Sequence, residues 1–234
     1  MKNTLDVVSQ QFERQAVRIA TRKRQSHPLA PQPNETVYLI RKGLFLARIP
    51  MPGDQHHILS ILYPGDVIRS NALRPLEGAD ILTASETGEA WRLRWSAVEA
   101  LAREDHGLEC QLFDSMADLA ARLALHSAIT AGLTGDERVA AMMIELALRT
   151  GKETHSGLTF EMPLSRIDIA EYLALNADTV SRIASRMRSN GLIAQSSARD
   201  HLACRSLAAL EDACPLAPAL RRLHAAPVQP QLAI

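Results

Sequence analysis

Cysteine, long apolar runs and an apolar leader are scarce or missing in this sequence. The three cysteines, Cys110, Cys204 and Cys214, are odd in number and widely spaced, which excludes a disulfide framework and a four-thiolate metal site, so we expect reduced thiols. No stretch reaches eighteen consecutive apolar residues, so no membrane span is predicted. The opening MKNTLDVVSQQFERQ lacks the apolar core of a signal peptide. We therefore expect a cytoplasmic protein without a membrane partner.

An excess of charge and the common catalytic motifs are missing as well. Lys and Arg together number 26, as do Asp and Glu, so the formal net charge is zero. Only a local patch could therefore attract a charged partner. The sequence has no G-x-S-x-G elbow, no H-E-x-x-H motif and no P-loop, and its cysteines are not paired as metal ligands. We do not expect an enzyme.

The residue pattern changes along the chain, from short aliphatic segments to helical periodicity, and this change predicts two domains. A length of 234 residues is enough for two. Residues 1–34 are polar, and we interpret their basic run as a solvated N-terminal segment. The run consists of Arg18, Arg22, Lys23 and Arg24. Residues 35–103 contain short aliphatic segments such as VYLI, LFLARI and HHILSIL, separated by turns at RKG, MPGD and YPGD. This pattern is typical of a small β-roll or barrel.

Residues 104–132 have the periodicity of one long helix. Side chains at alternating spacings of four and three form a stripe of Leu112, Met116, Leu119, Leu123 and His126. Two interpretations of this stripe remain open. It can pack on the β domain of its own chain, or it can pair with the same helix of a second chain and form the interface of a two-fold dimer.

A second domain is predicted over residues 133–212. Thr134 and Glu137 have the spacing of a capping box, and Gly151 ends the helix that follows. A strand is possible at LTFEM. Residues 213–234 are rich in Pro and Ala, and we expect the end of this C-terminal tail to fray.

Within the second domain, the segment PLSRIDIAEYLALNADTVSRIASRMRSNGLI predicts a helix-turn-helix. Ser165 with Asp168 marks the start of a first helix that should end near Leu173. Asn176 is a good N-cap for a second helix, and Gly191 is a good residue to end it. Two short helices joined by a turn of about four residues define the motif.

The second helix of this motif has one apolar and one polar face. The apolar face is predicted to consist of Val180, Ile183, Ala184 and Met187. On the polar face, Arg182 can bond guanine O6 and N7, Asp178 can accept from cytosine N4, and Ser181 can do either. These three residues are the predicted base contacts. Phosphate contacts are expected from Thr179, Arg186, Arg188 and Ser189.

An ordinary amphipathic helix with a solvated polar face is the alternative for these residues. The preceding helix, the cap and a following hairpin-like segment, QSSARDHLACRSL, all favour the DNA interpretation. Between Arg182 and Arg205, five arginines stand against Asp200 alone, which gives this stretch a net charge of +4. It is the local basic patch that the overall composition conceals.

Three motifs of the sequence resemble the CRP/FNR family of bacterial transcription regulators: YPGD at 63–66, GDERVAAMMIELA at 135–147 and RIDIAEYLALNADTVSRIASRMRSNGLI at 166–193. The resemblance covers nearly the whole chain, and the last motif is the most specific. It implies an α+β fold with an N-terminal β-roll similar to cyclic-nucleotide-binding domains, a long dimerisation helix and a C-terminal winged helix-turn-helix.

The resemblance also implies a function. A homodimer would place its two winged domains in successive major grooves of double-stranded DNA, about 34 Å apart, and present the bound promoter to RNA polymerase. The family's base-reading positions correspond to Asp178, Ser181 and Arg182. The cyclic-AMP branch has an arginine where this chain has Ala177, so the chain resembles the FNR and FixK branch, whose half-sites look like TTGAT. That branch suggests a response to low oxygen or nitrogen oxides. Asp178 is one methylene shorter than the usual Glu of that position.

No cofactor is expected from the same comparison with the family. Asn71 and Leu82 occupy the positions where cyclic-nucleotide binders have a glutamate and the arginine that holds the phosphate, so cyclic AMP is not expected. The oxygen-sensing branch needs N-terminal cysteines for an iron–sulfur cluster, and residues 1–34 have none. A haem- or other ligand-sensing regulator is the alternative, since His56 and His57 lie in the β-roll, although adjacent residues of a strand face opposite sides.

Cys204 falls in the predicted wing of the DNA-binding domain. Two interpretations were open for its thiol. Its oxidation could affect a nearby DNA contact, or the side chain could be a small buried hydrophobe.

Overall fold

The computed structural model describes residues 14–29, 35–53, 55–73, 78–155, 157–196, 198 and 200–224. The chain divides into two compact units, Met1–Leu123 and Ala124–Ile234. The strands of the first unit are β1 (Val17–Arg22), β2 (Ser26–Pro28), β3 (Thr36–Lys42), β4 (Phe45–Met51), β5 (Gln55–Leu62), β6 (Val67–Arg69), β7 (Asp80–Thr83) and β8 (Thr87–Arg94). A short 3-10 helix, Ser70–Leu73, follows β6.

The first unit consists of two four-stranded antiparallel sheets, ordered β1-β8-β3-β6 and β2-β7-β4-β5. Runs of aliphatic and aromatic residues form the strands because such side chains pack well on a pleated surface. Four consecutive residues of β3, from Val37 to Ile40, are buried. Phe45 and Leu62 are fully buried in the same core. The predicted β-roll is confirmed.

The YPGD turn is fixed by a positive φ and by one carboxylate. Gly65 has φ +95°, a conformation that glycine adopts readily because it has no Cβ. The Asp66 carboxylate accepts the backbone N–H of Tyr63 at 2.9 Å and pairs with Arg122 Nη1 at 2.7 Å. Both side chains of this ion pair are about nine-tenths buried, at 8% and 10% exposure. This ion pair therefore links the YPGD turn to the long helix that follows the sheets.

Residues 17–28 correct the predicted N-terminal segment. β1 pairs with β8 and β2 pairs with β7, so the boundary expected at residue 34 does not separate these residues from the β-roll. The basic run is solvated only in part. Arg18 and Arg22 lie on the outer side of β1, whereas Thr21 is 3% exposed and binds the Thr83 hydroxyl at 2.8 Å. The frequent charges concealed the alternation of an edge strand.

Two helices follow β8, and the second of them continues from the first unit into the second. They are α1 (Trp95–Glu104) and α2 (His106–Gly132), and Asp105, in an extended conformation, separates them. The predicted long helix of 104–132 is confirmed within two residues. Leu112 and Leu119 are 6% and 5% exposed and belong to the hydrophobic core of the first unit, with Leu123 packed beside them. These leucines therefore follow the first interpretation of the stripe, packing on their own chain.

The second unit is built around one central helix. Its elements are α3 (Gly135–Thr150), β9 (Lys152–Thr154), β10 (Gly157–Glu161), α4 (Arg166–Leu173), α5 (Ala177–Ser189), β11 (Ala194–Gln195), β12 (His201–Cys204), α6 (Leu207–Glu211) and α7 (Ala217–His224). α3 starts with the predicted capping box of Thr134 and Glu137. It is buried from Val139 to Ala147, and α4, α5, α6, α7 and β10 pack on it.

The predicted C-terminal tail contains an ordered helix. Ala217, Leu220 and His224 of α7 are buried, and the Arg221 guanidinium pairs with Glu211. The spacing of three and four between the buried residues is helical, but Pro and Ala in the surrounding sequence masked it. Residues 225–234 lie outside the described part of the chain, so the expectation that the end frays stays a prediction.

Candidate nucleic-acid interface

The helix-turn-helix is built by local hydrogen bonds at its caps. Ser165 and Asp168 form a reciprocal capping box at the start of α4, with bonds of 2.8 and 3.1 Å. α4 ends at Ala174, which adopts a left-handed conformation with φ 52°. The Asn176 side chain accepts the Asp178 N–H at 2.8 Å and begins α5. Both helices of the predicted motif are confirmed, and a short turn joins them.

Arg138 holds the turn from outside the motif. Its guanidinium donates to the carbonyl oxygens of Leu173 at 3.1 Å and of Leu133 at 2.8 Å. The C-terminal carbonyl groups of a helix have no partner within the helix, so a cation placed there is stabilising. No local signal in the sequence identifies Arg138, because Leu173 lies 35 positions away and both acceptors are backbone atoms.

The apolar face of α5 is buried as predicted. Val180, Ile183 and Met187 are 2%, 3% and 4% exposed, and Ala184 is half-buried. Because these positions are three and four residues apart, the opposite face of the helix is left to solvent. The rotation of α5 about its axis is fixed by this packing.

The three predicted base contacts lie together near the N-terminal end of α5. Asp178 and Arg182 are exposed, and Ser181 is half-buried with its hydroxyl donating to the Ala177 carbonyl oxygen at 3.0 Å. Within the described part of the chain, Arg182 forms no ion pair. Its five N–H donors are therefore available to an outside acceptor.

The four predicted phosphate contacts differ in their exposure and in whether they already have an ion-pair partner. Thr179 is half-buried, and Arg188 and Ser189 are exposed. Arg186 is engaged with Asp136 at the start of α3, where Nε and Nη2 reach the carboxylate at 3.1 and 2.6 Å. The hydrogen bond to Asp136, together with its charge, raises the pKa of Arg186. Arg186 of α5 is thus already paired with α3, whereas Arg188 forms no ion pair with any described residue.

The predicted wing is a short hairpin that follows α5 in the chain. β11 pairs with β12 through Ala194 with Ala203 and Gln195 with Leu202. Arg205 follows β12 and is exposed, whereas Arg199, which also counted in the predicted basic patch, lies outside the described residues. The Cys204 side chain is 3% exposed, and burial raises the pKa of its thiol. Its burial favours the interpretation as a small hydrophobe.

His126 is part of the core of the second unit. Its ring stacks on Tyr172 of α4 with centroids 4.2 Å apart, and the Tyr172 hydroxyl donates to Glu145 at 2.8 Å. All three side chains are buried. Of the five residues predicted for the dimer interface, only Met116 is exposed, at 39%. Periodicity identified the stripe but could not tell which surface covers it.

Comparisons with known proteins agree with this geometry. The Crp-like helix-turn-helix domain matches residues 137–213. The anaerobic regulatory protein of Pasteurella multocida is 23% identical over 164 residues, which cover 70% of this chain and 60% of that protein. The nitrogen fixation regulation protein FixK of Rhizobium meliloti is 37% identical over 79 residues, which are 34% of this chain and 36% of FixK. The chain therefore carries a Crp-like helix-turn-helix domain and is similar to these regulators over part of its length.

A solved structure shares the fold of this chain over most of its length. FixK2 from Bradyrhizobium japonicum superimposes with a TM-score of 0.72 over 85% of this chain and 97% of that one, at 23% sequence identity. The predicted α+β architecture is thereby confirmed. The matched part of the chain spans about 60% of the Pasteurella multocida relative, so the likeness does not reach the whole of that protein.

At the position where cyclic-nucleotide binders have the arginine that holds the phosphate, the described part of the β-roll has an apolar side chain. Leu82 is 3% exposed in β7. The nearby Arg48 is held by Asp80 in a bidentate pair at 2.8 and 2.6 Å. His56 and His57 are both half-buried on β5. Within the described ranges, no group of three His, Cys, Asp or Glu side chains could hold a metal ion, and no helix is long and apolar enough to cross a membrane.

Proposed function

We propose that the protein is a cytoplasmic, sequence-specific DNA-binding transcription regulator of the FNR and FixK type. The observation that carries this proposal is the exposed face of α5. Asp178, Arg182 and Arg188 project from a helix whose rotation is fixed by its buried face and whose N-terminus is capped by Asn176. A helix presented in this way fits the major groove of B-DNA.

Each side chain of this face has a chemical role in the proposal. Arg182 donates to guanine O6 and N7, Asp178 accepts from cytosine N4, and Ser181 contacts a neighbouring base edge. Thr179, Arg188 and Ser189 contact phosphates and set the register without reading sequence. Arg186 reaches a phosphate only by exchanging its Asp136 partner, so in the free protein its guanidinium is already paired.

The protein acts in this proposal as a homodimer on an inverted repeat. Leu112 and Leu119 are buried within their own chain. The face of α2 that a second copy can contact is therefore the opposite face of the helix. Phe113 is 72% exposed there, with Met116 and the small, exposed Ala117 and Ala120 beside it. Spacings of three and four residues let such a face pack against its own symmetry mate.

Sedimentation velocity tests the dimer. Phe113→Glu should convert the protein to monomers, because a charge would be buried in the seam. Ile167→Glu is the matched control, since Ile167 is also an exposed apolar side chain, at 54%, but lies on α4. Equal sedimentation of wild type and Phe113→Glu would place the interface elsewhere.

The operator and the signal follow from the branch of the family. TTGAT-like half-sites are proposed, with RNA polymerase as the partner at the promoter. The names of two relatives, an anaerobic regulatory protein and the nitrogen fixation regulation protein FixK, support a role in low-oxygen or nitrogen-oxide responses. Asp178 is the residue at which the preferred base pair can differ from that of relatives with Glu.

Fluorescence anisotropy with labelled duplexes tests the proposal. One duplex carries a TTGAT inverted repeat with half-site centres one helical turn apart, a second has the repeat scrambled, and a third moves the half-sites by half a turn. Without added ligand, we expect the first to bind at least about 10³-fold more tightly than the scrambled duplex. The half-turn insertion should remove most of that advantage. Equal affinity for all three would refute sequence-specific binding by a dimer.

A further inference from the structure

The polar face of α5 carries three serines at intervals of four residues. Ser185 and Ser189 are exposed, and Ser181 is half-buried. Because residues four apart share one side of a helix, the three hydroxyl groups lie along the same stripe as Asp178 and Arg182. The proposed function gives a role to Ser181 and to Ser189 but none to Ser185, which lies between them.

The three hydroxyl groups differ in how they use their single proton. Ser181 Oγ donates to the Ala177 carbonyl oxygen at 3.0 Å. Ser189 Oγ donates to the Arg186 carbonyl oxygen at 2.9 Å. The Ser185 hydroxyl forms no hydrogen bond with any residue that the structure describes. A serine hydroxyl has one donor and two acceptor sites, so Ser185 keeps all of them for an outside partner.

The residues beside Ser185 in the chain are engaged elsewhere. Ala184 is half-buried on the packed side of α5, and Met187 is 4% exposed. The Arg186 guanidinium is paired with Asp136 of α3, with Nη2 2.6 Å from Oδ2. The Ser185 hydroxyl is therefore the outward-facing polar group of this turn of the helix.

Ser185 also lies where a base contact is geometrically allowed. It follows Asp178 by seven residues, nearly two helical turns, so the two side chains project within about 20° of one another. They are about 10 Å apart along the helix axis, which is the length of roughly three base-pair steps of B-DNA. Homeodomains read bases with side chains at positions i, i+3, i+4 and i+7 of the recognition helix. On α5 these spacings correspond to Asp178, Ser181, Arg182 and Ser185.

We propose that Ser185 is a fourth base-reading residue of α5 and adds one specified base pair to each half-site. The proposal rests on the proposed function, since it takes α5 as the helix that enters the major groove. The hydroxyl can donate to guanine O6 or N7 or to thymine O4, or accept from an exocyclic amino group. Ionised Asp178 can only accept and Arg182 can only donate, so neither charged residue can replace Ser185.

Fluorescence anisotropy with the full-length protein tests this assignment. The labelled TTGAT inverted-repeat duplex is compared with duplexes in which one base pair is changed in both half-sites, within the repeat and at the positions that flank it. Ser185→Ala should lower discrimination at one position by roughly threefold to tenfold for each half-site. This position should differ from the one that Arg182→Ala relaxes. The unfolding curve should change little, because Ser185 is exposed.

Alanine substitutions of two other serines serve as controls. Ser189→Ala, one turn further along α5, should weaken binding to all duplexes alike, as the loss of a phosphate contact does. Ser96→Ala changes an exposed serine of α1 and should leave every affinity unchanged. A uniform loss in Ser185→Ala would mean a phosphate contact and would overturn the proposal, and so would affinities equal to those of the wild type.

A gain of specificity provides a second test. Asn forms a bidentate contact with adenine N6 and N7, so Ser185→Asn should increase the preference for adenine at the position that Ser185→Ala relaxes. No such increase would contradict the assignment. If the wild type binds the repeat and the scrambled duplex equally, the proposed function fails together with the role of Ser185. If the wild type discriminates and Ser185→Ala discriminates equally well at every position, only the role of Ser185 fails.

Discussion

Three arginines of the first unit and two of the second are used in opposite ways. In the first unit, Arg48, Arg69 and Arg122 form ion pairs with largely buried carboxylates, those of Asp80, Glu35 and Asp66 respectively. On α5 of the second unit, Arg182 and Arg188 are exposed and form no ion pair with any described residue. The first set completes the fold internally, and the second leaves its donors for a partner. The comparison shows that the function of an arginine here depends on whether an acid is already beside it.

The paired and the unpaired arginines should also contribute differently to the free energy of unfolding. Removing one member of a buried ion pair leaves the other charge without a partner in a poorly solvated place, which is costly. Removing an exposed, unpaired arginine changes the stability of the fold little. Substitutions that break these buried ion pairs should therefore change folding, and substitutions of Arg182 or Arg188 should change DNA binding.

The largest effect is expected for Arg122→Ala. It removes the Arg122 cation from beside the Asp66 carboxylate, which is 10% exposed, and should lower the free energy of unfolding by about 3–5 kcal/mol. Urea unfolding of the variant and the wild type measures the difference. A loss below about 1 kcal/mol would mean that the buried pair does not hold α2 to the YPGD turn.

Arg182→Ala should have the next largest effect, and on DNA binding only. Losing the bidentate contact to guanine should cost roughly 1–3 kcal/mol at the preferred operator and relax discrimination at one base pair in each half-site. Binding to a set of operators with single base-pair changes measures this, with the unfolding curve as the control for folding. Equal losses on every operator would assign Arg182 to a phosphate.

Arg188→Ala should weaken binding to all DNA sequences alike. It removes a phosphate contact, so the dependence of the logarithm of the association constant on the logarithm of salt should flatten by about 1 for each protomer. Titrations at several salt concentrations with specific and scrambled duplexes test this. Lost discrimination with an unchanged salt slope would reverse the roles of Arg182 and Arg188.

The smallest effect is expected for Asp136→Asn. It releases Arg186, so binding to any duplex should strengthen and the salt slope should steepen by no more than about 1 for each protomer. Stability should hardly change, because both partners are about half exposed. Arg186→Ala combined with Asp136→Asn is the control. If the gain persisted in the double variant, it would not come from Arg186.

The helix-turn-helix could be predicted because its signals are local. Ser165 and Asn176 act within three residues of themselves, and the buried side chains of α5 recur at a helical period. The β-roll was predicted from short aliphatic segments separated by turns, with the exception of β1 and β2, which lie in the polar segment that precedes them.

What the sequence did not reveal depends on contacts between distant residues. Asp136 and Arg186 are 50 positions apart, and Asp66 and Arg122 are 56 apart. A periodic stripe of side chains does not indicate which surface covers it. The sequence was therefore equally consistent with packing of the stripe on the first unit and with its pairing with a second chain. The same holds for His126, whose stacking on Tyr172 requires the fold of the second unit.

Selection of bound sites from a random DNA pool tests the central claim most directly. Purified wild-type protein, without added ligand and at a stated salt concentration, is compared with Arg182→Ala. We predict an inverted repeat of TTGAT-like half-sites for the wild type and the same repeat with one degenerate position in each half-site for the variant. No enrichment by the wild type, or an identical motif from both proteins, would contradict the assignment of α5 as the helix that reads DNA.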